Sequence, residues 1–297
     1  MSLSYPYTPF PFNVTAISPL FQLSPLSSNG TSMGWVPSCI TPECMPTASW
    51  STSAVNATLS FQYWGVGVAF DGKVQGNTTV QLVRDDVQHE WKPSGETLFN
   101  LLSKPTDQFF QHNVTLKVID ASPNALLTVT RARVNGSSYG DFYLYTDRWV
   151  LPSNEDRLKY TGFVPQSSVA HAESSTTYVS SSAGDSVSMQ FNGSALLVYG
   201  PCGPTNGLMR ISIDGQQEVV NTSKPFASND CLLIQSWGLP EVLHELLIEN
   251  VDGGKLGIDR LDFFRFQTQV IPGVRTPVSA VAVPIFIGSR QTANELA

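Results

Sequence analysis

Apolar positions along the chain alternate with polar ones. Val114, Leu116 and Val118 alternate, as do Val187, Met189 and Phe191, and Ile211 with Ile213. A period of two keeps one side chain of each pair on a common face, the pattern of a half-buried strand. Leu196 to Tyr199 reads as a further strand, and Asp214-Gly215 directly after Ile213 is a turn signal. Val242, Leu243, Leu246 and Leu247 taken alone would also line a helix face. No segment carries a capped, sustained helical period.

An internal repeat settles that ambiguity. Residues 60–70 (SFQYWGVGVAF) align with 188–198 (SMQFNGSALLV), 112–120 (HNVTLKVID) with 244–252 (HELLIENVD), and 127–134 (LTVTRARV) with 256–263 (LGIDRLDF). Order and spacing are kept, so two copies of one domain are the economical explanation. Because 242–247 aligns with the alternating 110–115 region, both segments are read as strands. The expected fold class is all-β, with two tandem β-sandwiches: a first domain over 1–134 and a second over 158–267. Residues 135–157 are expected to link them. This segment is too aromatic for a flexible tether (Tyr139, Phe142, Tyr143, Tyr145 and Trp149), so it is expected to pack between the domains. The tail over 268–297 is expected to pack on the body or to be a stalk remnant.

Composition narrows the function classes. Charged residues are 14% of the 297, and 17 Lys+Arg against 24 Asp+Glu give a net charge of −7. Nucleic-acid binding, which needs clustered basic side chains against phosphate, is not expected. The longest apolar run, 278–288, is shorter than a membrane span and holds Ser279 and Pro284, so no span is expected.

Eight sequons begin at Asn13, Asn29, Asn56, Asn77, Asn113, Asn135, Asn192 and Asn221, against about three expected by chance from 15 asparagines in a Ser/Thr-rich chain. They point to a secreted or lumenal glycoprotein. The start of the chain lacks a basic and then apolar leader, so a signal peptide is expected to have been removed. Four cysteines fall as two separated pairs, and Cys39–Cys44 with Cys202–Cys231 is the expected disulfide pairing. Zinc is the rival, but no Cys-X-X-Cys occurs and no histidine lies near a cysteine. No metal and no cofactor are expected.

Several segments carry a family resemblance: 158–163 (LKYTGF), 184–200 (GDSVSMQFNGSALLVYG), 211–215 (ISIDG), 244–250 (HELLIEN) and 256–261 (LGIDRL). They resemble the galactose-binding-like jelly rolls found in tandem in secreted or membrane-anchored fungal proteins. The resemblance covers 158–267 well and 13–134 more weakly. In overall arrangement the chain resembles the hetero-Diels–Alderases of tropolone sesquiterpenoid pathways. That resemblance implies a cofactor-free pericyclase, which dehydrates a tropolone alcohol to a quinone methide and guides its cycloaddition with a humulene-type terpene. The same fold also implies an alternative, a carbohydrate-binding or cell-surface module whose partner is a glycan.

The chain contains no His-Glu-X-X-His and no phosphate-cradling glycine loop. His112 and His244 occupy equivalent repeat positions, which argues for a shared structural role. Asp259-Arg260 is matched by Thr130-Arg131 and is likewise read as structural. Asp85-Asp86 flank a turn and are read as solvated rather than as a glycosidase pair. Aromatics are then the main resource for a site, because they wall sugars and planar polyenes alike. Trp64, Trp91, Tyr143, Trp149 and Trp237 are the candidate substrate-binding residues. Trp64 gains weight because the other copy has Asn192 there. A pericyclic reaction needs reactants held in a reactive pose and donors to the oxygen that gains charge. Arg148 and Tyr160 are the candidate donors, and Asp147 the acid or base of dehydration. The expected site is an apolar cavity between the repeats.

Overall fold

A computed structural model describes residues 12–27, 34–65, 67–101, 110–135, 143–167, 175–237, 239–240 and 242–268. The alternating segments are strands, and the helical content there is one 3-10 turn, Met45–Thr47, with Pro46 as its second residue. The first domain runs through β1 (Phe12–Val14), β2 (Phe21–Ser24), β3 (Val36–Pro37), β4 (Trp50–Thr52), β5 (Thr58–Gly65) and β6 (Gly67–Gln75). It continues with β7 (Thr78–Arg84), β8 (Val87–His89), β9 (Thr97–Leu101), β10 (Phe110–Ala121) and β11 (Leu126–Asn135). The second domain runs through β12 (Tyr143–Pro152), β13 (Lys159–Thr161), β14 (Val164–Ser167), β15 (Thr176–Ser180), β16 (Ser186–Asn192) and β17 (Ala195–Cys202). Its remaining strands are β18 (Leu208–Ile213), β19 (Gln216–Asn221), β20 (Ser228–Trp237), β21 (Leu243–Asn250), β22 (Leu256–Ile258) and β23 (Arg260–Thr268).

Sheet order shows the duplication directly. The first domain pairs a sheet ordered β3-β4-β11-β6-β9, with β1 on β11, against a second ordered β2-β5-β10-β7-β8. The second domain repeats the latter as β13-β16-β21-β18-β19. It repeats the former in two pieces, β14-β15-β22 and β12-β23-β17-β20. The long strand β11 has its counterpart split at Asp259, between β22 and β23, where the first copy instead carries a bulge between Val129 and Arg131. Aromatics join the facing sheets. Phe21 and Phe61 stack at 4.3 Å and both meet Phe70 of the opposite sheet at 5.7 Å. In the second domain Phe191 meets Phe263 at 4.9 Å. The chain is all-β, two tandem β-sandwiches.

Part of the expected linker is structural. Residues 143–152 form β12, which pairs with β23 from Tyr143↔Thr268 to Pro152↔Arg260. The alternation that makes this segment aromatic is strand alternation: Trp149 faces inward and stacks on Phe263 at 5.4 Å. Its equivalent in the first copy, β1, spans only three residues, so the repeat gave no warning.

The domains meet along β20, the edge strand of its sheet. An open edge is a template for unwanted pairing, and the first domain covers this one. The Ser18 hydroxyl donates to the Leu232 carbonyl at 2.5 Å, the Asn229 N–H donates to Pro42 O at 3.2 Å, and Gln235 bonds the main chain of Trp64. Lys224, just before β20, donates to the Phe21 carbonyl at 2.6 Å. The cysteines are bonded as Cys39–Cys44 and Cys202–Cys231. This fits an oxidising, extracellular setting. Among the described residues no helix is long and apolar enough to cross a membrane. The tail beyond 268 lies outside the described residues.

Candidate functional site

The candidate residues do not gather at one place. Trp64 sits at the domain junction, 6% exposed, and its indole N–H has no partner among the described residues. The cleft it lines holds only about 50 Å³. A second junction depression, beside Trp50 and Lys224, holds about 200 Å³. Small-molecule sites run to roughly 300–1,000 Å³, so neither matches the apolar chamber expected between the repeats. Trp149 packs on Phe263, and Trp91 lies half-buried against the core.

Arg148 is engaged in the fold: its guanidinium donates to Asp262 Oδ2 at 2.8 Å, across the β12–β23 pair. Tyr160 donates to the Ser153 carbonyl at 2.9 Å and stacks on Tyr178 at 4.0 Å. Burial, then Tyr178 and the Asp259 carboxylate, hold its hydroxyl above the ordinary phenol range. A phenol already donating and stacked is poorly placed to polarise a substrate oxygen. Tyr143, Asp147 and Trp237 are described as strand backbone only, in β12 and β20.

Of the sequon asparagines, Asn13, Asn56, Asn77, Asn113 and Asn221 are exposed. Asn192 is half-buried, with its amide oxygen enclosed and without a partner among the described residues. Asn29 lies outside the described residues, and Asn135 is described by its backbone, at the end of β11.

The two equivalent histidines do the same job in each copy. His112 Nδ1 lies 2.5 Å from Asp85 Oδ2, and His244 Nδ1 lies 2.6 Å from Asp214 Oδ2. In both, the second carboxylate oxygen accepts the next main-chain N–H, from Asn113 at 2.9 Å and from Glu245 at 2.8 Å. The aspartates stand at positive φ, +50° and +51°, in the tight hairpin turns after β7 and β18. The pair therefore pins a hairpin turn to the central strand of its sheet. Burial would push both carboxyls up, but the histidine and main-chain hydrogen bonds outweigh it and hold them below the ordinary value.

A buried charge cluster sits in the second domain. Arg260 lies 2.9 Å from Asp230 and 3.5 Å from Asp262, with its guanidinium carbon 3.7 Å above the Tyr199 ring. Asp259 is the odd member. Burial raises its carboxyl to about 6, with Asp230 adding to the rise, against the Thr177 hydroxyl that donates to Oδ1 and the charge of Arg260. Its Oδ2 has no partner among the described residues. Among those residues no group of three or more His, Cys, Asp or Glu is placed to hold a metal.

The largest depression described is a surface groove that motif reasoning missed. It crosses the outer face of the β13-β16-β21-β18-β19 sheet and holds about 820 Å³. Ser188, Gln190, Ser212 and Glu245 line it, with Leu247 among them and Lys159 at its rim. These are the outward halves of the alternating strands, whose inward halves, Val187, Met189, Ile211 and Ile248, are core. The first domain carries a smaller depression of about 320 Å³ at the equivalent place, lined by Gln62, Gln111, Asn113, Thr115 and the Asp85-Asp86 turn. The repeat alignment placed Gln62 on Gln190, and this was the available signal.

No family model matches the chain, and no curated protein does. Solved structures with some likeness include a Paenibacillus xanthan lyase, 13% identical with a TM-score of 0.31, over 87% of this chain and 27% of that one. Another is the CBM22-1–CBM22-2 tandem domain of Paenibacillus barcinonensis Xyn10C, 11% identical with a TM-score of 0.26, over 91% and 100%. The insecticidal crystal protein Cry2Aa gives 10% and 0.28, over 50% and 29%. This chain thus spans under a third of the lyase and of the crystal protein. Likenesses this distant bear on neither activity nor ligand.

Proposed function

We propose that this chain is a carbohydrate-binding protein of the secretory pathway, holding a glycan along the outer face of its second domain. The observation that carries this reading is the open groove of about 820 Å³, lined by the polar side chains of Ser188, Gln190, Ser212 and Glu245 together with apolar Met189, Leu246 and Leu247. Polyhydroxylated chains are recognised by such donors and acceptors. Leu247, 38% exposed, offers an apolar contact for a ring face. Charges of both signs border the groove. Lys159 donates to the Asp156 carbonyl at 2.6 Å, and Arg157 pairs with Glu155 at 3.1 Å. That balance suits a neutral ligand better than a polyanion. The eight sequons and two disulfides support the same compartment.

The pericyclase reading keeps a cofactor-free site of Arg148, Tyr160 and Asp147 against a terpenoid substrate. The two junction depressions among the described residues, about 50 and 200 Å³, are smaller than it needs, and Arg148 and Tyr160 donate to Asp262 and to the Ser153 carbonyl. The binding reading is therefore preferred.

The test is a glycan array followed by calorimetric titration of the best hit, with wild type and Gln190→Ala/Glu245→Ala. Loss of two hydrogen-bonding groups should weaken binding by roughly tenfold or more, at about 1 kcal/mol each, with an unchanged melting temperature. Absence of glycan binding, or identical affinity in the variant, would overturn the assignment.

A further inference from the structure

The two outer-face grooves are equivalent by fold but differ in their lining, most tellingly at two positions of the central strand. In the first domain, Asn113 and Thr115 stand on β10 where the second domain has Glu245 and Leu247 on β21. Asn113-Val114-Thr115 is a sequon; its counterpart is not. The Asn113 side chain is exposed, makes no hydrogen bond among the described residues, and lines the groove directly opposite Gln62 in the β5–β10 register. Thr115 points the same way, its hydroxyl 3.1 Å from that of Ser60. The other exposed sequon asparagines, Asn13, Asn56, Asn77 and Asn221, are not among the residues lining this groove.

We infer that Asn113 carries an N-linked glycan whose first sugars lie in the first domain's own groove. In the modification, the Asn113 amide nitrogen forms a bond to the anomeric carbon of a lipid-diphosphate-linked oligosaccharide. The bond from that carbon to the diphosphate oxygen breaks, the diphosphate leaves with the electron pair, and the nitrogen gives up one proton. The attached sugar starts inside a depression of about 320 Å³ bordered by the side chains of Gln62, Gln111 and Asp86. Amide and carboxylate groups there can bond its hydroxyls without the entropy cost of capturing a free ligand, because the covalent tether fixes a high effective concentration. The first groove is thereby closed to outside glycans and the second remains open. This last consequence rests on the proposed binding function; the seating of the glycan does not.

The experiment uses the whole chain secreted from a eukaryotic host. Site-resolved mass spectrometry follows release of the Asn113 glycan by an amidase that cleaves N-glycans, on native wild type and on native Gln62→Ala/Gln111→Ala. Asn113 should be occupied, and the double variant should lose its glycan about tenfold faster, the factor expected for removing interactions of about 1.4 kcal/mol. An unoccupied Asn113, or equal release rates, overturns the inference. Asp86→Asn, on the exposed turn, serves as the second variant if the first does not fold. Slow wild-type release in a protein that binds no glycan on the array would retire the binding function and leave this inference standing.

Discussion

The side-chain amide of Gln235 brackets the main chain of Trp64, donating to its carbonyl at 2.6 Å and accepting its N–H at 3.4 Å. A primary amide presents one donor and one acceptor side by side, as a peptide unit does. Gln235, 2% exposed, thus gives the end of β5 the partner that a neighbouring strand would supply. It also joins the two domains. Trp64 is thus a junction residue through its backbone as well as its buried side chain.

Gln235→Ala should accordingly loosen the junction. Leaving buried main-chain groups of Trp64 unpaired costs about 1–3 kcal/mol. Urea unfolding should show the loss, with the first and second domains unfolding less cooperatively, while glycan affinity stays at the wild-type value. A variant as stable as wild type would mean that water replaces the amide.

A second prediction concerns a glycine shared by both copies. Gly72 of β6 and Gly200 of β17 are 128 residues apart, continuing the alignment of 60–70 with 188–198. A Cβ on Gly72 would fall 2.0 Å from the Thr128 carbonyl oxygen, and one on Gly200 would fall 2.1 Å from that of Gly257. Both obstacles are main chain and cannot swing away. Gly72→Ala and Gly200→Ala should each lower stability by about 1–3 kcal/mol through overpacking, measured as a drop in melting temperature. Gly184→Ala meets nothing within 4 Å but sits at φ +88°, so its cost would be conformational alone.

These glycines show how far the sequence reading reached. Period-two alternation and the repeat mark most strands and the two domains, and the grouping of four cysteines into two separated pairs marks the disulfides. Strand β12 is poorly marked because its match β1 is only three residues long and too short to align. The groove escaped for a different reason. Its residues, such as Ser188, Gln190 and Glu245, are ordinary outward strand positions, and only pairing across β16, β21 and β18 makes them neighbours. Arg148 and Tyr160 stand out in the sequence by residue type alone. Their partners Asp262 and Ser153 lie 114 and 7 residues away, and neither contact is marked by a motif.

The paired Asp–His pins predict an acid-side effect. Asp85 and Asp214 are held below the ordinary 3.8 in the folded protein. An acid with a depressed folded pKa stabilises the fold above its unfolded value, and the contribution is lost as pH falls through the folded value. Asp85→Asn/Asp214→Asn should therefore be less stable than wild type at pH 7, with the difference shrinking below about pH 3.8. Stability curves from pH 2 to 7 measure this directly. A pH-independent gap would assign the effect to geometry alone.

Asp259 has the opposite sign. Its carboxyl is raised from 3.8 to about 6 because it is 1% exposed, beside Asp230, with Oδ2 unpartnered among the described residues. Between pH 3.8 and 6 the folded protein holds a proton there that the unfolded chain has released, so stability falls as pH rises through that window. Above it the full cost remains, on the order of 2–3 kcal/mol for a shift of this size. Asp259→Asn keeps the shape, can still accept from the Thr177 hydroxyl, and removes the titration. It should match wild type near pH 4 and exceed it in stability at pH 7. Equal pH profiles would show that Arg260 neutralises Asp259 in the folded state; a variant weaker at pH 7 would show that the negative charge is needed to balance Arg260.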